Sequence, residues 1–143
     1  MSEYTKHLTP RPELRERIIE TAVKAFAAQG IKSITMDDIA TSLGISKRTL
    51  YEVFPDKETL LEECILRGQK EGDEYLKNVL ATSENVLEVL LKCYQRSIEK
   101  FHATNKKFFE DIKKYPKAYK LMTKRHDQDS EETVNFFKEG VKQ

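Results

Sequence analysis

The chain has 143 residues, 34% of them charged and 38% hydrophobic, with 5 Gly, 4 Pro and no Trp. That length is about one domain's worth, and a Lys/Glu/Leu-rich, breaker-poor mix favours helices while excluding collagen-like, disulfide-framework and large multidomain-enzyme classes. Basic residues number 25 and acidic ones 24, leaving a net charge of +1, so no global basic field advertises nucleic acid or membrane and any such contact must be local.

Met1 to Pro12 is polar and proline-punctuated and reads as a flexible arm carrying Lys6, His7 and Arg11. No apolar run approaches the roughly 18 residues of a membrane span, and the start MSEYTKHLTPRPELRE has neither a signal-peptide core nor a lipidation motif. The expectation is a cytoplasmic protein with no membrane partner. From Glu13, Leu14, Ile18, Ala22, Ala25 and Phe26 recur at helical spacing until Gly30, the residue type that most often ends a helix. Thr35-Met36-Asp37-Asp38 then opens a short second helix, with Thr35 as cap and two aspartates at the positive end of the dipole, and Leu43-Gly44 closes it. Ile45 turns inward, Ser46 caps a third helix over Lys47 to Val53, and Pro55-Asp56 closes that helix and opens a fourth.

Beyond Lys57 the apolar periods lengthen. Leu61, Cys64, Ile65, Gly68, Gly72, Tyr75, Leu76 and Val79 trace one face of a long helix. Val86, Leu87, Leu90, Leu91, Tyr94, Ile98 and Phe101 trace the face of the next, read as beginning at Ser83. Asn105 caps a shorter helix bearing Phe108, Phe109 and Ile112, and Tyr115-Pro116 starts a last one running toward Gly140. Thr123 to Thr133 contains no apolar side chain and reads as solvent-facing. There is no strand pattern and no internal repeat, so the expected fold is all-α.

Met36 to Phe54 is the segment that carries function. Two short helices joined by Leu43-Gly44-Ile45-Ser46 bury Ile39, Leu43, Ile45 and Leu50 between them, with Ala40 where a larger side chain would hold them apart and Gly44 supplying a positive φ. A helix-turn-helix needs this, because its second helix must project rigidly into a major groove about 12 Å wide. The outward face of that helix reads Lys47, Arg48, Thr49 and Tyr51, with Lys57 one turn into the next helix: cations for phosphates and donors for base edges. A merely solvated αα-corner would show such a charged pair too, but here small residue, glycine, apolar spacing and cap coincide.

The stretch Arg15 to Leu61 resembles the TetR family of bacterial transcriptional regulators. The resemblance lies in R-x-x-I-I-x-x-A-x-x-x-F-x-x-x-G (Arg15 to Gly30), T-M-D-D-I-A-x-x-L-G-I-S (Thr35 to Ser46) and T-L-Y-x-x-F-x-x-K-x-x-L-L (Thr49 to Leu61). It implies a helical, homodimeric repressor whose first three helices (domain 13–56, after the arm 1–12) bind palindromic operator DNA. A helical domain over 57–143 would then bind a small-molecule effector and dimerise. By position, Thr35 and Met36 would lie near the DNA backbone, Lys47, Arg48, Thr49 and Tyr51 on the recognition helix, and Lys57 at a phosphate. Where many members carry an aromatic-His pair, this chain has Glu52-Val53, which removes one phosphate contact and adds an acid. Members usually run to about two hundred residues, so the effector/dimerisation domain is expected to be partial, and 143 residues are expected to be mainly monomeric in dilute solution.

An effector cavity would lie among the helices bearing Tyr75, Tyr94, Phe101, Phe108, Phe109, Tyr119 and Met122, although such residues at helical spacing also serve simply as core. His126 could be a pocket donor or an exposed histidine; His102 and His7 offer nothing better. Cys64 and Cys93 lie in apolar helical patterns without CxxC or Cys/His ligand spacing and read as reduced core thiols, so no metal site and no cofactor is expected. A Cys64/His102 enzyme is the rival from another class, disfavoured because a mid-helix thiol on an apolar stripe resists ionisation and no nucleophile elbow or phosphate loop accompanies it. The expectation is therefore that the chain has no catalytic residues and is not an enzyme. A helical interaction module that has lost DNA binding is the third reading.

Overall fold

The computed structural model describes residues 10–142, and within them the side chains of residues 12–124, 131, 134, 135, 138 and 139. Lys6 and His7, and the side chains of Arg11, of His126 and of most of the Thr123–Thr133 run, therefore lie outside the described residues. Among those described, seven α-helices and one 3-10 turn make up an all-α fold without strands: α1 (Pro10–Gln29), α2 (Met36–Leu43), α3 (Lys47–Val53), α4 (Lys57–Thr82), α5 (Val86–Ala103), α6 (Lys106–Asp111), the turn Ile112–Lys114 and α7 (Pro116–Lys142).

Local chemistry sets most of the boundaries. The side chains of Ser46, Asp56, Asn85 and Asn105 each accept a first-turn N–H and so cap α3, α4, α5 and α6. Helix α1 already includes Pro10–Pro12, the last part of the segment read as an arm, and prolines fit the first turn of a helix because N–H groups there have no intrahelical acceptor. Helix α5 starts at Val86 rather than Ser83, because it is Asn85 whose side chain accepts from the Glu88 N–H, at 2.9 Å.

One hydrophobic cluster runs through the fold. Ile18, Ile19, Ala22 and Phe26 of α1 meet Ile39 and Ala40 of α2, Leu50 of α3 and Leu60, Leu61 and Cys64 of α4, and the same cluster reaches Ile112 and Ala118. Each fully buried Ile, Leu or Phe contributes about 1.5–3 kcal/mol, and this continuity across Lys57 ties the first three helices to the rest. Helix α4 packs on α1 at one end and on α7 and α5 farther along.

Two polar clamps reinforce that tie at the end of α1. The Asn105 N–H donates to the Ala27 carbonyl at 2.7 Å and its side-chain amide to the Ala28 carbonyl at 3.1 Å. The Asp111 carboxylate accepts from the N–H groups of Ile31 at 3.0 Å and Lys32 at 2.9 Å. Between them Gly30 adopts φ +86°, and a Cβ there would stand 2.8 Å from Lys107 Cβ. The glycine both ends α1 and lets α6 approach.

Helix α5 corrects the sequence reading of its faces. Leu87, Leu91, Tyr94, Ile98 and Phe101 are exposed, four of them by more than half, while Val89 is the buried residue of the helix. The main neighbour of α5 is α4, so the helix turns Val89, Cys93 and Arg96 inward, leaves Leu87, Leu91 and Tyr94 more than half exposed, and stacks Phe101 on Phe109 at 5.4 Å.

Candidate nucleic-acid interface and adjoining cleft

Helix α2 is locked at its start by a reciprocal pair: Thr35 Oγ1 accepts from the Asp38 N–H at 3.1 Å, and the Thr35 N–H donates to Asp38 Oδ2 at 2.9 Å. Those bonds to Thr35 hold the Asp38 carboxyl below its usual range. At the other end Gly44, at φ +69°, directs its N–H back to Ala40 and Thr41, and the Ile45 N–H donates to the Ala40 carbonyl at 3.1 Å. The tight corner works because Ala40 is only 3% exposed and Leu50, arriving from α3, is fully buried.

With Leu50 anchored inward, α3 presents Lys47, Arg48 and Tyr51 to solvent. Lys47 Nζ lies 3.3 Å from Asp37 and 6.0 Å from the centre of the Tyr51 ring, and Arg48 Nε lies 3.4 Å from Glu52. The face is thus charge-compensated. Exposed pairs of this kind are worth only about 0–1 kcal/mol, so a phosphate arriving at either cation meets little resistance. Thr49 is half-buried, its hydroxyl 2.8 Å from that of Ser46.

Two of the residues assigned by position, Met36 and Lys57, are placed differently. Met36 is 5% exposed and belongs to the core; its side chain is corrected from a surface role, leaving only its main chain at the helix start. Thr35 stands exposed at the helix start and caps it, as its spacing predicts. Lys57 is half-buried, with its ammonium 6.0 Å from the Phe26 ring centre and 5.8 Å from that of Tyr115. Loss of hydration there lowers its pKa, opposed by the charges of Asp111 and Asp38. It faces those groups rather than standing with the α3 cations.

Beside this unit a cleft of about 870 Å³ opens between α1, α4, α5, α6 and α7. Of the seven residues expected to surround a cavity, Tyr75, Phe101, Phe108, Phe109 and Met122 line it. Tyr94 and Tyr119 do not: Tyr94, 66% exposed, lies on the outward stripe of α5, and Tyr119 packs against the core cluster. Val23, Phe26, Ala27, Cys64, Gly68 and Arg96 also contribute, and the α1 residues and Arg96 went unnoticed in the sequence because nothing local says that α1 and the inner side of α5 share a wall. A Cβ on Gly68 would meet nothing within 4 Å, so that glycine leaves open space.

Burial pushes the Cys64 thiol up to about 12, which keeps it protonated and unreactive near neutrality. His102 is exposed and meets Phe101 edge-on at 6.0 Å. Among the described residues no group of three His, Cys, Asp or Glu could hold a metal ion, and no helix is long and apolar enough to cross a membrane.

A tight helix-turn-helix with an exposed, cation-bearing second helix, set on a helical body with its own cleft, defines an all-α helix-turn-helix class of protein. Residues 18–64 match the family model described as bacterial regulatory proteins, tetR family, and this N-terminal domain belongs to that family. The chain is 32% identical over 72 residues to the biofilm operon icaADBC HTH-type negative transcriptional regulator IcaR of Staphylococcus aureus, a match covering 50% of this chain and 37% of that protein. It is 32% identical over 101 residues to the HTH-type transcriptional regulator YhgD of Bacillus subtilis, covering 68% of this chain and 52% of that one. The chain thus matches about half or less of the length of these curated relatives. Its fold is similar to that of the ketosteroid transcriptional regulator KstR2 of Mycobacterium tuberculosis, with a TM-score of 0.67 at 22% identity over 90% of this chain and 68% of that one. These relatives are named as regulators, not as enzymes.

Proposed function

We propose that the chain is a sequence-specific DNA-binding transcriptional regulator, a repressor that a small molecule in the cleft releases from its operator. The observation that carries this reading is the α3 face: Lys47, Arg48 and Tyr51 stand exposed on a helix whose opposite side is anchored by the fully buried Leu50. Lys47 and Arg48 would exchange Asp37 and Glu52 for DNA, releasing counterions, while Tyr51 and Thr49 would reach base edges. Negative regulation is the role named for IcaR, which supports repression here.

A palindromic operator offers two half-sites about 34–36 Å apart, so the functional unit is a homodimer, acting in the cytoplasm where the DNA is. Release follows from the shared element α1. Val23, Phe26 and Ala27 line the cleft, and the Ala27 and Ala28 carbonyls are those that Asn105 clamps. A molecule that repositions α1 against α6 would act directly on the helix that packs on α2 and α3, and release requires only that it bind the two arrangements with different affinity.

Selection of duplexes from a random DNA pool tests the reading. Enrichment of an inverted repeat by the native chain, and none by a Lys47→Ala/Arg48→Ala variant, is the expected result. Failure to enrich any sequence would favour an interaction module without DNA binding.

A further inference from the structure

The lining of the cleft is mainly apolar, with Phe26, Ile65, Leu76, Val89 and Phe108 among its residues. Of the two cations that line the cleft, Arg96 and Lys100, Arg96 is the one packed on an aromatic ring. Arg96 is half-buried on the inner side of α5, its guanidinium 4.9 Å from the centre of the Tyr75 ring. The ring itself is held, because the Tyr75 hydroxyl donates to the Lys92 carbonyl at 3.2 Å. Among the described residues Arg96 forms no ion pair with a carboxylate, whereas its neighbours on α5, Lys92 and Lys100, reach Glu88 at 2.9 Å and Glu71 at 3.9 Å. Asp73, on the α4 wall of the cleft, is itself engaged.

The opposing wall is bare where the guanidinium faces it. A Cβ on Gly72 would stand 3.7 Å from Arg96 Nη1, so any larger residue would occupy the space in front of the cation. A half-buried guanidinium beside apolar surface is poorly solvated, and its planar fork matches a carboxylate through two parallel hydrogen bonds. Apart from Gln69, Asp73, Ser97, Lys100 and Thr104, the remaining lining is mainly apolar and offers dispersion and apolar burial.

We infer that the cleft receives an amphipathic carboxylate: its head pairs with Arg96 beside Gly72, and its aliphatic or aromatic body lies along Phe26, Ile65, Leu76 and Phe108. The inference rests on the reading of this cleft as the effector site and names the chemistry of its ligand. Tyr75 acts as the platform that keeps the guanidinium aimed, and Lys100, whose pair with Glu71 is long and half-exposed, adds positive potential at the mouth.

The test is a fluorescence titration of the full chain with cis-parinaric acid below its micelle concentration, followed by displacement with laurate or with methyl laurate. The acid should displace the probe at least about tenfold more effectively than the ester, the worth of one charge-assisted contact. Arg96→Gln, checked for native helicity by circular dichroism, should abolish that preference while leaving the ester unaffected, and Gly72→Leu should weaken acid and ester alike. Equal displacement by acid and ester in the native chain overturns the inference without recourse to any variant. A preference that survives Arg96→Gln, or absence of parinarate binding, overturns it as well. No DNA is present in this titration, so its failure leaves the DNA reading standing, and failed duplex selection leaves the ligand assignment standing.

Discussion

Two glycines with positive φ provide a matched pair for measuring the clamp between α1 and α6. Gly30 (φ +86°) and Gly44 (φ +69°) both occupy the left-handed region, where an L-residue costs about 1–2 kcal/mol. Their surroundings differ. A Cβ on Gly44 would meet nothing within 4 Å, whereas on Gly30 it would come within 2.8 Å of Lys107 Cβ and 3.1 Å of the Asp111 carboxylate. Relieving that overlap must push α6 away and loosen the bonds from Ile31 and Lys32 to Asp111, an overpacking cost of about 1–3 kcal/mol. Gly44→Ala is therefore expected to lose about 1–2 kcal/mol and Gly30→Ala about 2–5 kcal/mol, a large share of a domain stability of about 5–15 kcal/mol. Urea unfolding followed by circular dichroism measures both. If Gly30→Ala is no more destabilising than Gly44→Ala, α6 does not sit against α1 in solution and the coupling route from the cleft is wrong.

Ala40→Leu should wedge α2 from α3 at a position only 3% exposed, lowering stability by about 1–3 kcal/mol and abolishing DNA binding with most helix retained; operator affinity equal to that of the native chain would remove the basis for the tight corner. Asp38, held below the usual carboxylate range by Thr35, contributes stability that is present above its unfolded pKa and lost as pH falls through the lower folded value. Asp38→Asn should accordingly flatten the acid limb of the stability curve below about pH 5, and parallel curves for the two proteins would exclude that linkage. Lys57→Met, which removes a cation tucked over Phe26 and Tyr115, should weaken DNA binding less than Lys47→Ala does; the reverse order would mean that Lys57 swings out to a phosphate.

How much the sequence disclosed depends on how far apart the interacting groups lie. The ends of α2 and α3 were legible because Thr35 with Asp38, Ser46 with Thr49, and Gly44 with Ala40 interact within five residues of one another. Asn105 was legible as a cap for the same reason, but its amide bond to Ala28 spans 77 positions and left no local trace. The stripe Leu87, Leu91, Tyr94, Ile98 and Phe101 was visible as periodicity, yet periodicity states that a face exists and not what covers it, so its exposure emerged only from the packing of α5 on α4. The burial of Met36 and the half-burial of Lys57 escaped the sequence for the same reason: motif position fixes the backbone, whereas Tyr115, Asp111 and the surrounding core decide where the side chain lies. Arg96 was hidden because its meaning comes from Tyr75, twenty-one positions away on a different helix.

If DNA is held by the α3 face, the salt dependence of binding reports it. The logarithm of the association constant for a selected duplex should fall linearly with the logarithm of salt concentration. Lys47→Ala/Arg48→Ala should weaken binding and make that slope shallower by about 0.9 for each phosphate the protein no longer neutralises, up to about 1.8 per copy of the chain. Unchanged affinity and an unchanged slope in the double variant would mean that DNA is held by some other surface and that α3 is not the recognition helix.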